Sequence, residues 1–141
     1  MKILVATDGS KHALRAVKYA AELAGLTRQP SSVTLISVHD DTGLRHAKAF
    51  VGSEQVADYL RELAEKELKP ARKVLDQLGI KHDAEIRTGH VTQEIVNCAN
   101  AGKFNLIVLG AKGRGALADM LLGSVAQRVL AIAKQPVLLV K

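Results

Sequence analysis

The stretch GAKGRGALADMLLGS, residues 110–124, sets glycines and cations at a spacing suited to holding an anion. Gly110 and Gly113 stand two residues apart, and nine residues then lead to Gly123-Ser124. Gly110 would let a strand end turn sharply, and Gly113 would bring backbone close to a ligand with no Cβ in the way. Gly123-Ser124 would open a helix, where the first N–H groups lack internal partners and the dipole favours negative charge. The Ser124 hydroxyl and the amides of Ser124 and Val125 could all donate to one phosphate, each charge-assisted bond contributing about 1.5–3 kcal/mol. Glycines also occur routinely where strands meet helices, and Ser124 could simply cap its helix. Among the cations, Lys112 and Arg114, with Arg128 third, are the candidates for this anion; the others read as solvated surface.

The elements around this stretch alternate. Lys2–Thr7 reads as a buried strand broken by Asp8-Gly9-Ser10, with Ser10 as N-cap of a helix running to about Leu23 and ended by Gly25. Val33–Val38 is a second buried strand, and His39–Ser53, which has no clear period, reads as a loop. A long amphipathic helix runs from Glu54 to Gly79 and should kink or split at Pro70. Lys81–Thr88 is a more polar strand near a sheet edge, followed by a helix from Thr92 to about Ala101. Phe104–Leu109 is a buried strand, Ser124–Lys134 a helix and Val137–Val140 a last strand. Five strands alternating with helices predict an open α/β fold with parallel strands, right-handed crossovers and helices on both faces. In such sheets ligands bind beyond the carboxyl ends of the strands where the strand order reverses. Asp8-Gly9-Ser10 and residues 110–124 would then face one crevice. Asp8 is the candidate acid there, although Asp-Gly-Ser also favours a simple turn.

The 141 residues suit one domain, and 48% of them are apolar, enough for a core. The charge is +6 without any long cationic run, and only Phe50, Phe104, Tyr19 and Tyr59 are aromatic. Diffuse charge and scarce aromatics argue against a nucleic-acid binder. Cys98 is alone and reads as a small buried residue. KILVAT is too short for a signal sequence, and no apolar run approaches the roughly 18 residues of a membrane span, so a cytoplasmic location without membrane association is expected. The Walker pattern is absent. The dinucleotide fingerprint is matched only loosely, by 113–118, without the acidic residue about 20 positions on. His39, Asp40, Asp41 and His46 lack metal-site spacing and read as a solvated loop.

Gly110, Gly113, Gly123 and Ser124 match the G-2x-G-9x-G-[S/T] pattern, and with ILVATDGS, NLIVLGAKGRG, LLGSVAQRVL and QPVLLVK the whole chain resembles the ATP-binding subgroup of the universal stress proteins. The resemblance implies a Rossmann-like five-stranded sheet in the order 3-2-1-4-5 and an ATP site, with Mg²⁺, across strands one, two and four. It implies Asp8 near the ribose or a bound metal, Ala6 and Thr7 in the same nucleotide site, and Val38 backbone at the adenine. Gly110 would lie beside the ribose, Gly113, Gly123, Ser124 and Val125 would hold the phosphates, and Lys112 and Arg114 would belong to the same site. Asn105 stands where many relatives have Asp.

In that strand order Val137–Val140 is an apolar edge, which invites pairing with a second chain, and the family forms homodimers. Phosphoryl transfer would need a base, a protein-held metal and a cation on the moving group. Only Asp8, Lys112 and Arg114 are at hand, so slow hydrolysis at most is expected. The expected function is a nucleotide-dependent stress-response switch or sensor. A ligand-independent dimeric scaffold, or a weak ATPase or nucleotidyl transferase, is the alternative.

Overall fold

Residues 3–5, 33–37 and 107–109 are buried on both faces, and that requirement builds the middle of the sheet. The computed structural model describes residues 1–114 and 121–141. The strands are β1 (Lys2–Ala6), β2 (Ser32–His39), β3 (His82–Thr88), β4 (Leu106–Gly110) and β5 (Val137–Val140). The helices are α1 (Lys11–Leu26), α2 (Arg45–Val51), α3 (Ser53–Gln77), α4 (Val91–Ala101) and α5 (Ser124–Ile132). All strands pair in parallel in the expected order, β3-β2-β1-β4-β5.

Alternation along the strands divides the core. Ile3, Val5, Val33, Leu35 and Val108 meet α1 and α3 through Ala16, Val17, Ala20, Leu68 and Leu75. Leu4, Ile36, Ile107 and Leu109 meet α4 and α5 through Ile95, Cys98, Ala99 and Val129. Burying each such Leu, Ile or Val side chain contributes about 1.5–3 kcal/mol. The alanines of α1 let that helix lie close to the sheet. A Cβ on Gly110 would stand 2.8 Å from the His12 carbonyl carbon and 3.0 Å from the Ala13 nitrogen, so close packing of α1 on β4 requires glycine there.

Several sequence expectations are corrected. Residues 39–53 are not a loop: β2 continues to His39, a 3-10 turn covers Thr42–Leu44 and α2 follows. Neither of the latter two buries a residue, so no apolar stripe marked them. Helix α3 is not split at Pro70, because Leu68, Ala71 and Leu75 are buried on either side of it and hold both halves to the sheet. Gly25 lies inside α1, with open space where its Cβ would be. Thr27 ends that helix instead, its hydroxyl donating to the Ala24 carbonyl at 2.9 Å. Phe104 is buried but precedes β4. Ser10 does cap α1, its hydroxyl oxygen accepting from Ala13 N–H at 3.2 Å.

Candidate functional site

A cleft of about 320 Å³ opens where β1, β2 and β4 end, a size usual for small-molecule sites. It lies at the reversal of strand order, since β1 is flanked by β2 on one side and β4 on the other. The residues that the sequence assigned to the nucleotide line it: Ala6, Thr7, Asp8, Val38, Gly110, Lys112, Gly113, Arg114, Gly123, Ser124 and Val125. Arg128 does not. Sequence reasoning missed Ala13, Ile36, Val91, Ile95, Leu109 and Ala126. The period of two places Ile36 on the same face as Val38, and the helical period pairs Val91 with Ile95. What the sequence lacked was which face each helix covers.

The cleft therefore has two chemistries. Ile36, Val38, Val91, Ile95 and Leu109 form an apolar half between β2, β4 and α4. Asp8, Lys112, Gly113, Arg114, Gly123 and Ser124 form a polar half at the start of α5. Gly123 is the N-cap of α5, and among the described residues no side chain caps this helix. Ser124 is the exposed first helical residue, so its hydroxyl is not the cap.

Asp8 organises the polar half. Its Oδ1 accepts the Ser10 backbone N–H at 2.9 Å and its Oδ2 accepts the Arg114 backbone N–H at 3.0 Å. Burial pushes this carboxyl up, but hydrogen bonds from the Ser10 side chain and backbone and from Arg114 outweigh it and hold it below the usual carboxylate range. Thr7 secures the preceding turn. Its N–H donates to the Ile36 carbonyl at 3.0 Å and its Oγ1 accepts the Gly9 N–H at 3.2 Å.

The two described ends of the glycine segment touch. The Ala111 N–H donates to the Val140 carbonyl and the Gly123 N–H to the Ala111 carbonyl, both at 2.7 Å. A Cβ on Gly123 would lie 3.3 Å from the Gly113 nitrogen, and one on Gly113 would lie 3.2 Å from Asp8 Oδ2. Both glycines thus allow the segment to close on itself and on β1. Residues 115–118 of the loose dinucleotide fingerprint lie outside the described residues.

Other candidate groups have local partners. His39 Nε2 is hydrogen-bonded to Glu67 Oε2 at 3.0 Å. Asp40 Oδ1 accepts from the Thr42 N–H and hydroxyl, and Asp41 is ion-paired with Lys48. Cys98 is buried as expected, and burial, with Glu85 beside it, pushes its thiol up to about 11. Asn105 sits at the opposite end of the strands, its Oδ1 accepting the Lys2 N–H at 2.7 Å. Among the described residues no helix is long and apolar enough to cross a membrane.

Comparison with known proteins gives one consistent match. The model of the universal stress protein family covers residues 1–141. Universal stress protein MJ0531 of Methanocaldococcus jannaschii is 35% identical over 99% of this chain and 81% of its own length. The structure of MJ0577 from the same organism is 32% identical, with a TM-score of 0.83 over 99% of this chain and 94% of that one. A universal stress protein in complex with cAMP is 25% identical, with a TM-score of 0.75 over 100% and 97% of the two chains. The Archaeoglobus fulgidus universal stress protein in complex with dAMP is also 25% identical, with a TM-score of 0.68 over 100% and 98%.

Proposed function

The chain belongs to the universal stress protein family, and from that premise we propose that it binds ATP in the β1–β2–β4 cleft and acts as a cytoplasmic, single-domain stress-response switch. The observation that carries this reading is the division of the cleft. Its apolar half suits a purine ring, and its polar half joins a helix N-terminus to two cations, which suits a phosphate chain. Nucleotide complexes of two structural neighbours support adenine as the base. In this reading Val38 backbone meets the adenine, while Ala6, Thr7, Asp8 and Gly110 surround the ribose. Lys112, Gly113, Arg114, Gly123, Ser124 and Val125 take the phosphates.

Magnesium ions usually keep several waters and bind through one or two carboxylates plus substrate phosphates. Asp8 is the one carboxylate among the described cleft residues, so Mg²⁺ would arrive with the nucleotide and rest mainly on its phosphates. Asp8 is also the one candidate base there, and both its oxygens already accept backbone N–H groups. Hydrolysis is therefore slow or absent, and the protein works by binding.

The test is thermal unfolding with Mg-ATP, AMP and adenosine. ATP at 100 times its dissociation constant should add about 2.7 kcal/mol of stability, with AMP and adenosine binding progressively more weakly. No response to any of the three would reject the reading in favour of a ligand-independent scaffold.

A further inference from the structure

A carboxylate from the other side of the sheet reaches the glycine segment. Glu67, near the middle of α3, is the one charged side chain buried among the described residues, at 8% exposure. Helix α3 covers the sheet face of Val5 and Leu35, whereas α5 and the apolar half of the cleft lie on the face of Ile36 and Leu109. Glu67 Oε2 is hydrogen-bonded to His39 Nε2 at 3.0 Å, and its Oε1 stands 3.9 Å from Arg114 Nη1. The contact passes over bare backbone at Gly9, where φ is +78°. A Cβ there would lie 2.9 Å from Arg114 Nη2 and 3.3 Å from Glu67 Cγ.

The two halves of Arg114 are held unequally. Its backbone is fixed by Asp8 at 3.0 Å. Its side chain is 62% exposed and meets Glu67 only at the outer limit of an ion pair, and such pairs are weak and exchangeable. Phosphate offers a guanidinium stronger, bidentate bonds. Arg114 also lines the cleft beside Gly113 and Ser124. Glu67 is itself buried in α3, so departure of Arg114 changes the surroundings of that helix and leaves His39 as the partner of Glu67 among the described residues.

We propose that Glu67 and the phosphate chain of a bound nucleotide compete for the Arg114 side chain. Glu67 is thus a positioning residue: it lowers affinity for polyphosphates selectively and reports occupancy of the cleft to α3. This rests on nucleotide binding in the cleft. Because such coupling is reciprocal, whatever hold Glu67 keeps on Arg114 is subtracted from polyphosphate affinity.

Calorimetric titration of Mg-ATP and AMP into the wild type, Glu67→Gln, Arg114→Gln and the double variant tests it. Gln keeps an acceptor for His39. Glu67→Gln should tighten ATP about two- to fivefold and leave AMP unchanged, and it should add nothing to Arg114→Gln. An unmoved ATP-to-AMP ratio, or the same gain in the Arg114→Gln background, overturns the proposal. Should Glu67→Gln fail to fold, amide exchange decides. ATP should speed exchange around residues 64–71 in the wild type and not in Arg114→Gln, and no change in the wild type overturns the proposal. A wild type that binds neither nucleotide defeats the parent reading instead, a result distinct from binding without competition.

Discussion

Asp8 Oδ2 accepts the Arg114 backbone N–H at 3.0 Å and so ties the end of the first strand to a segment 106 residues later. Its other oxygen accepts from Ser10, whose side chain in turn caps α1. One carboxylate therefore joins β1, α1 and the glycine segment.

Replacing Asp8 by Ala should cost about 1 kcal/mol at pH 7, allowing for the partial exposure of the group. The effect should depend on pH in one direction. Because the folded-state carboxyl titrates below its ordinary value of 3.8, the stabilisation is complete above that value. It is lost as pH falls through the lower folded value. Urea unfolding of the wild type and Asp8→Ala should show a gap at pH 7 that closes below pH 3.8. A constant gap would mean that the lost contacts are not ionic.

Gly110→Ala tests the packing of α1 on β4. The added methyl would meet backbone atoms of His12 and Ala13 at 2.8–3.0 Å, which no side-chain rotation relieves. Overpacking of this kind costs about 1–3 kcal/mol. Chemical denaturation should register that loss, whereas Gly25→Ala, with open space around the new Cβ, should be neutral or stabilising by up to about 1 kcal/mol inside a helix.

The contrast between these two glycines shows what the sequence could and could not reveal. Gly25 looked like a helix stop, but the stop belongs to Thr27, whose hydroxyl donates to the Ala24 carbonyl. Strands β1, β2 and β4 were legible because they are buried on both faces and read as continuous apolar runs. Helix α2 was not, because it buries nothing and so imposes no period on its residues. The polar half of the cleft was legible because anion binding needs particular residue types at a particular spacing. The apolar half was not, since Ile36, Ile95 and Leu109 are indistinguishable in sequence from core. Glu67 was hidden similarly: a glutamate between Lys66 and Leu68 on an amphipathic helix reads as surface until the fold brings His39 and Arg114 to it.

Gly123→Val should separate cleft shape from overall stability. Its Cβ would stand 3.3 Å from the Gly113 nitrogen and 3.4 Å from the Lys112 Cα, so the facing backbone must give way to admit the branched side chain. Under the proposed function, ATP affinity should fall at least tenfold, equivalent to about 1.4 kcal/mol. Titration of ATP into a variant shown to be folded by circular dichroism checks it, and unchanged affinity would remove Gly123 from the site.

Homodimerisation, which we propose to occur through β5, yields the last prediction. Strand β5 is one of the two sheet edges and pairs only with β4 among the described strands. The Pro136 and Val140 carbonyls accept from Ile107 and Ala111 N–H groups at 3.0 and 2.7 Å. By the strand period of two, Val137 and Leu139 turn their N–H and C=O groups outward, where a second copy of the strand could pair with them. Leu139→Pro deletes an outward donor while leaving the inward bonds of residues 136 and 140 in place, as proline tolerates at an edge. Light scattering should report a dimer for the wild type and a monomer for Leu139→Pro with far-ultraviolet dichroism preserved. A variant that stays dimeric would show that the subunits meet elsewhere, because a strand-to-strand contact across this edge cannot lose its central donor without weakening.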